Sequence, residues 1–307
     1  LEIVLDTLKQ IFMQEANEER YSRKFIDGYI SDDIRDNPET QDKIQHGVEL
    51  LEKYAEGSYY ESKMRRIVQL EGLDFETLVT DIFVGICYFQ KSEMLSSVAA
   101  QMASRLKFSD RVQAVTTVAE ILAILCLTDA FDIDKVNKSA SLTVVSRIPL
   151  SRETLEFIRN SSYLPPMVCS PRELTSNYSS GYLTHNDSLI LGQGNHHSGD
   201  ICLDVLNLMN QVPLKINTEF LSSVEEEPTF VAQNQEQIDL WRDFKSQSYN
   251  FYSLLVNQGN KFWLTHKVDK RGRIYASGYH INTQGTPFKK ASIELFNEEL
   301  VTGVPQP

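Results

Sequence analysis

Paired cysteines, long apolar runs and, over most of its length, positive charge are what this sequence lacks. Its four cysteines, Cys87, Cys126, Cys169 and Cys202, are widely spaced and form no C-x-x-C pair. That excludes a secreted-type disulfide framework and a zinc knuckle, and makes a reducing, cytoplasmic setting the expectation. No apolar run reaches the roughly 18 residues of a membrane span, so no membrane is expected among the partners. The opening Leu1-Glu2-Ile3-Val4-Leu5-Asp6 has neither a basic n-region nor the Arg-rich character of a transit peptide. Leucine in first place suggests that further residues precede it. A Walker A loop is absent, as are G-x-S-x-G and any local cysteine-nucleophile signature, so neither a P-loop NTPase nor a serine or cysteine hydrolase is supported.

What the chain does have is acid. Its 307 residues carry 42 Asp and Glu against 30 Lys and Arg, a formal charge of −12, which by itself argues against a nucleic-acid partner. The distribution reverses that argument. Residues 240–290 hold nine of the bases (Arg242, Lys245, Lys261, Lys267, Lys270, Arg271, Arg273, Lys289 and Lys290) and two of the acids (Asp243 and Asp269). A basic segment in an acidic protein is either a solvated face or an electrostatic footprint for an anionic partner.

Hydrophobic periodicity predicts an α+β protein, mostly α, with a helical domain over residues 1–150 and a second domain over 151–307. Leu5, Leu8, Ile11 and Phe12 form one stripe at helical spacing, and Val48, Leu51 and Tyr54 another. Segments 75–89 and 110–127 are more apolar and read as inner helices, with glycine and proline scarce among them. After residue 130 the character changes. Leu142-Thr143-Val144-Val145 reads as a strand, and Ser151 as the N-cap of a helix ending near Asn160, with Leu150 and Leu155 as a staple. Residues 163–199 are rich in Ser, Gly, Pro and Asn, and Tyr182-Leu183 with Leu189-Ile190-Leu191 suggests a hairpin. Asp200 reads as the cap of a helix carrying Ile201, Val205, Leu208, Met209 and Val212. A long helix is expected from about 234 to 257, buried through Ile238, Trp241, Tyr249, Tyr252 and Val256 and ended by Gly259-Asn260. His196, His197 and Asp200 could ligate a metal, but adjacent side chains diverge, and a hairpin loop is the preferred reading.

The stretch most suggestive of function is Asp269-Lys270-Arg271-Gly272-Arg273, after the alternating run Phe262–Val268. Glycine lets a backbone approach a ligand closely, and guanidinium groups grip phosphate oxygens in a forked geometry. The run from Lys267 through Asp269–Arg273 to Tyr275 and Ala276 resembles the T/DxxGR motif of the single-subunit RNA polymerases, the phage and mitochondrial type, and Asn282-Thr283-Gln284-Gly285 resembles the turn that follows it. Pro166–Ser176 with Gly181-Tyr182-Leu183 resembles that family's proline-rich block. Leu203–Asn210 with Pro213–Asn217 resembles the helix and K-I-N turn that come next, although Leu174 stands where an aromatic is common and Pro213-Leu214 replaces a small-aromatic pair.

By this resemblance the second domain is the start of a right-hand polymerase domain with short hairpins, preceded by the helical N-terminal domain. Asp269, Lys270, Arg271, Gly272, Arg273, Tyr275 and Lys267 would contact the template or the RNA–DNA hybrid. No HDD segment occurs, and the chain stops about thirty residues after Arg273, so the resemblance places no catalytic residue and no metal ligand on it. Mg2+ would be bound by a second subunit carrying palm and fingers. The expectation is one subunit of a heterodimeric DNA-directed RNA polymerase, a nucleotidyltransferase inactive alone. It would resemble the split enzymes of certain lytic bacteriophages and work in the cytoplasm of an infected host cell. Its partners would be DNA template, RNA transcript, nucleoside triphosphates through the complex, and a recruitment factor. The alternatives are a non-enzymatic nucleic-acid-binding or scaffold protein derived from such a polymerase, or a fragment of a full-length enzyme.

Overall fold

A computed structural model of the chain describes residues 2–105, 110–136, 141–192 and 199–298, with Gly303. It is a mixed α and β structure, mostly helical. The chain begins with α1 (Glu2–Arg20), α2 (Arg23–Asp36), α3 (Pro38–Glu56), α4 (Glu61–Ile67), α5 (Phe75–Cys87), β1 (Glu93–Met94) and α6 (Leu95–Met102). It continues through α7 (Arg111–Leu125), β2 (Phe131–Lys135), β3 (Leu142–Ser146) and α8 (Arg152–Asn160). Then come β4 (Ile190–Leu191), α9 (Leu203–Asn210), β5 (Leu214–Ile216), α10 (Thr218–Ser223) and α11 (Gln235–Asn257). Last are β6 (His266–Asp269), β7 (Ile274–Ala276), α12 (Pro287–Ala291) and β8 (Ile293–Leu295). Two compact units form, residues 23–159 and residues 1–22 with 160–307. Relative to the expected boundary at 150, α8 up to Arg159 joins the helical unit, and α1 joins the other.

In the helical unit, polar caps start the helices that hydrophobic spacing predicts. Asn37, Asp74 and Asp110 accept from the backbone N–H of Thr40, Thr77 and Val112 at the starts of α3, α5 and α7, satisfying donors that a helix end leaves open. Ser151 does the same for Thr154, 3.1 Å away, at the start of α8. Val118, Ile121, Leu122 and Leu125 of α7 are buried in one core with Ile44 and Leu51 of α3 and with Val79, Ile82 and Phe83 of α5. Over 18 residues from Arg111, mean hydropathy reaches 1.5, enough by length and composition for a membrane crossing. Such a helix at the centre of a packed core meets the same test. Its first turn departs from the expected inner face, since Val112 is exposed. β3 pairs with both β1 and β2 in an antiparallel sheet.

The other unit is built on a reversal of the expected pattern in α1. Leu5, Leu8 and Phe12 are exposed and only Ile11 of the expected stripe packs inward, against the Met167–Trp263 cluster, whereas Gln14, Asn17 and Glu18 are buried. The polar side chains face inward because each has partners there. Gln14 Oε1 accepts the Val168 N–H at 2.8 Å, and Asn17 exchanges two amide hydrogen bonds with Gln258 at 2.9 and 3.0 Å. Glu18 accepts the N–H groups of Leu183, Thr184 and His185. Those three donors are turned away from any strand partner, so the expected hairpin of 182–183 with 189–191 does not form. β4 instead lies parallel to β6.

Two further expectations shift. α9 starts at Leu203 with no side-chain cap, because the Leu203 N–H closes a tight turn onto the Ile201 carbonyl at 2.8 Å; Asp200 is not the N-cap of α9. α11 keeps its expected span and its Gly259-Asn260 end, both residues adopting positive φ. Its buried stripe, however, is Ser248, Phe251, Tyr252 and Leu255, while Val256 is exposed. His196 and His197, with most of the 192–199 loop, lie outside the described residues.

His280 sits in this core, stacked on Phe251 and Phe244 at centroid distances of 5.0 and 5.1 Å, with Nδ1 2.8 Å from Ser248 Oγ. Burial, and then the positive charge of Lys289, push its pKa down to about 4. A neutral buried imidazole contributes stability above its unfolded pKa, near 6.5, which is lost as pH falls towards the folded value. The unit's stability is therefore expected to decline from pH 6.5 to about 4, by at most about 1.4 kcal/mol per pH unit for one proton. The buried Glu226 carboxyl, raised by burial, opposes this decline. Thermal melts at stepped pH check it: His280→Phe should flatten the profile in that window. Ser248 then keeps its bond to the Phe244 carbonyl.

Candidate nucleic-acid interface

The Asp269–Arg273 stretch forms the turn of the β6–β7 hairpin. Gly272 N–H donates to the Asp269 carbonyl and Asp269 N–H to the Arg273 carbonyl, both at 2.9 Å. This is a three-residue loop closed by a glycine in the left-handed region, φ +80°. An added Cβ at Gly272 would meet nothing within 4 Å, so conformation alone selects glycine, and the space beside it is open. Gly272→Ala is expected to lower stability by about 1 kcal/mol and Gly272→Asn by less. Denaturant unfolding reads both, and equal losses would point to a contact instead of the dihedral.

Asp269 organises the turn. Its Oδ1 accepts the N–H groups of Arg271 and Arg273 at 2.9 and 3.0 Å. Its Oδ2 accepts from Arg273 Nε at 2.7 Å, from Arg271 Nη2 at 3.2 Å and from the Tyr275 hydroxyl at 3.3 Å. Partial burial would raise this carboxyl, but the backbone and side chain of Arg273, with the Tyr275 hydroxyl, outweigh it and hold the pKa below the usual range. The Arg273 guanidinium is in turn raised, first by its bond to Asp269. Both guanidinium groups remain more than half exposed, and each has donors beyond those spent on one carboxylate. Two arginines oriented by one acid leave the turn with net positive charge.

Strand alternation sorts the neighbours. Lys267 is opposite Tyr275, two positions along each strand from Asp269 and Arg273, and His266, Val268, Ile274 and Ala276 take the other face. Lys267 is held by Asp187, its Nζ 2.6 and 2.7 Å from the two carboxylate oxygens, so it fixes the 187 segment against β6 as well as adding charge. Lys270 is exposed at the tip.

The inner face joins the three sequence blocks. Val268 packs with Leu174, Leu189, Ile190 and Leu206. Asn207 of α9 accepts the Leu174 N–H at 2.8 Å and donates to its carbonyl at 2.9 Å. His266, its pKa lowered by burial, lies 2.9 Å from Asn210 Oδ1. Met167 exchanges backbone hydrogen bonds with Trp263 at 3.0 and 2.8 Å. A Cβ on Gly181 would come within 2.9 Å of Thr265 Cγ2, so only glycine allows that approach. On the outer edge of β7, Gln284 accepts the Ala276 N–H and donates to the Ile274 carbonyl, at 2.9 and 3.0 Å, standing in for a further strand. Asp187, Asn207, Asn210 and Gln284 were not singled out from the sequence as site residues. Asn207, Asn210 and Gln284 fall within the quoted blocks; nothing local marks Asp187.

Comparison with known proteins bears on what this arrangement serves. No family model matches the chain. A curated relative from Gelasinospora sp. (strain G114), described as a probable DNA-directed RNA polymerase, is 28% identical over 177 residues. The chain is similar to a DNA-directed RNA polymerase. The match covers 53% of this chain and 19% of the relative, so the chain spans only a small part of that protein's length. Among the described residues, no group of three or more His, Cys, Asp or Glu side chains is placed to hold a metal ion.

Proposed function

We propose that this chain is a nucleic-acid-positioning part of a DNA-directed RNA polymerase, with the β6–β7 turn set against the backbone of the template or the RNA–DNA hybrid. The observation that carries the reading is Asp269 holding Arg271 and Arg273 on a glycine-closed turn, with the two upstream blocks packed beneath it. Arg271, Arg273 and Lys270 would contact phosphates, Tyr275 would buttress Arg273, and Lys267 would add charge beside them. Phosphate contacts position a strand without reading its bases, so the role is orientation for chemistry done elsewhere. Palm, fingers and Mg2+ would come from a second subunit, as in a heterodimeric phage enzyme. The mass of the active native enzyme distinguishes that from one continuous polypeptide.

Binding to a fluorescent RNA–DNA hybrid at stepped salt tests the reading. Affinity should fall steeply with salt as bound counterions are released, and Arg271→Ala with Arg273→Ala should flatten the slope by roughly one to two. A salt-insensitive complex, or an unchanged slope, would leave the basic segment as a solvated face. Nucleotide incorporation restored by adding the metal-bearing part separates the polymerase from a non-enzymatic binder of the same nucleic acid.

A further inference from the structure

The core-facing stripe of α11 does not end where the core ends. Ser248, Phe251, Tyr252 and Leu255 are buried, and the same helical spacing carried towards the N-terminus passes through Phe244, Trp241 and Leu240. There the stripe lines a cavity of about 610 Å³ together with Phe230, Tyr279 and Phe288. Trp241 and Phe244 lie 5.5 Å apart at 28°, and Phe230 meets Trp241 edge-on at 6.3 Å, so the rings brace one another. Phe230, Leu240 and Tyr279 are 45%, 53% and 48% exposed, and Val231, next to Phe230, is 90% exposed. Bulky apolar side chains gathered on one solvent-facing surface, with aromatic anchors in a pocket, mark a protein-docking face. A small molecule filling the cavity would leave Val231 in water, because Val231 lies outside the lining. An occupant that continues past the mouth covers both.

Charge narrows the occupant further. Residues 225–243 hold six acids and one base, Arg242, the opposite balance to the β6–β7 turn. Arg242 lies 3.6 Å from Asp239, and Lys245 is bonded to Glu225. Lys289 donates to the Tyr279 carbonyl at 2.6 Å and sits over the Phe244 ring, while Lys290 stands outside the lining. Glu227 in the lining and Glu236 beside it are exposed and make no ion pair among the described residues. We propose that this cavity docks a basic segment of a partner protein, with a bulky apolar side chain seated against Trp241 and Phe244 and lysines or arginines facing Glu227 and Glu236. The same acids repel a phosphate backbone, so this site is separate from the nucleic-acid contact proposed for the turn and does not rest on it.

Fluorescence anisotropy with the full chain and a labelled peptide, lysines flanking a central leucine–phenylalanine pair, tests the docking. Saturable binding should weaken about tenfold or more in Leu240→Asp, and by a smaller factor in Val231→Asp and in Glu227→Lys. All three positions are exposed, so the melting transition should be retained. Hydrogen exchange should show new protection in 226–231 and 279–289 on adding the peptide, and none in 269–273. If Leu240→Asp unfolds the unit, that protection in the unaltered chain carries the test. Equal binding of a peptide with alanines in place of the apolar pair would reduce the site to charge. Displacement of the peptide by oligothymidylate would make it a nucleic-acid groove. Dimerisation of the chain that Val231→Asp removes would make the occupant a second copy. Each of these overturns the proposal, as does indifference to both aspartate substitutions. Arg273→Ala should leave peptide binding unchanged and Val231→Asp should leave hybrid binding unchanged, so a failed turn and a failed docking site show in different measurements.

Discussion

On the proposed role of the β6–β7 turn, Arg273→Ala should lower polymerase activity about 10- to 100-fold in the complete enzyme, the range for losing one or two hydrogen bonds to a charged phosphate. The same change at Arg152, an exposed arginine of the helical unit paired with Glu156, should have no measurable effect. Arg273 is the sharper test of the turn because its guanidinium meets Asp269 through Nε and Nη2, both 2.7 Å from one oxygen. It is thus held in place before any strand arrives, and little rotamer freedom is lost on binding. Asp269→Ala should reproduce much of the defect without removing a positive charge, since Arg271 and Arg273 both lose their anchor. Lys would fail to rescue Arg273, because an ammonium cannot engage the carboxylate and a phosphate through one planar fork. Single-turnover extension on a preformed hybrid, read beside hybrid affinity, separates loss of binding from misorientation. Full activity in Arg273→Ala would remove the turn from the reaction.

The turn was legible because its chemistry is local. Aspartate, three positions later a glycine, and alternating residues on both sides specify a hairpin without reference to the rest of the chain. The same holds for the capped helices of residues 37–160, where each cap and its amide lie two or three positions apart. What surrounds the turn was not legible for the converse reason. Asp187 meets Lys267 across 80 positions and Asn210 meets His266 across 56, and no periodicity encodes such pairs. The 182–191 segment failed as a hairpin because its amides answer to a carboxylate in α1. The stripe assigned to α11 failed at its N-terminal half, where Trp241 lines a cavity in place of a core. Apolar spacing shows which faces could be buried; in α1, hydrogen bonding decided which one was.

That inversion makes Glu18 the residue on which the second unit depends most. Glu18→Ala is expected to destabilise the unit by about 3–5 kcal/mol, the cost of removing one member of a buried charged network. The carboxylate accepts from Leu183 and His185 N–H at 2.8 Å, from the N–H and hydroxyl of Thr184, and from Gln14 Nε2 at 2.8 Å. Removing it strands three successive backbone donors at a site 2% exposed, each a group that cannot turn to water without moving the loop. Burial raises this carboxyl, but the four hydrogen-bond contributions from Gln14, Leu183 and Thr184 outweigh it, and the net pKa is lowered. The sign follows: the stabilisation is present above the unfolded value of 4.5 and is lost as pH falls through the lower folded value. This loss sets in near 4.5, at the lower end of the window assigned to His280, so most of the His280 effect precedes it along one pH titration. Glu18→Gln keeps the volume but turns an amide NH2 towards backbone donors, and should recover less than half of the loss. Hydrogen exchange at the amides of 183–185 reads the effect locally: protection should collapse in Glu18→Ala while amides of α3 and α5 in the helical unit keep theirs. Uniform loss across both units would mean that they unfold as one. Retained protection at 183–185 would mean that the buried face of α1 does not hold the loop.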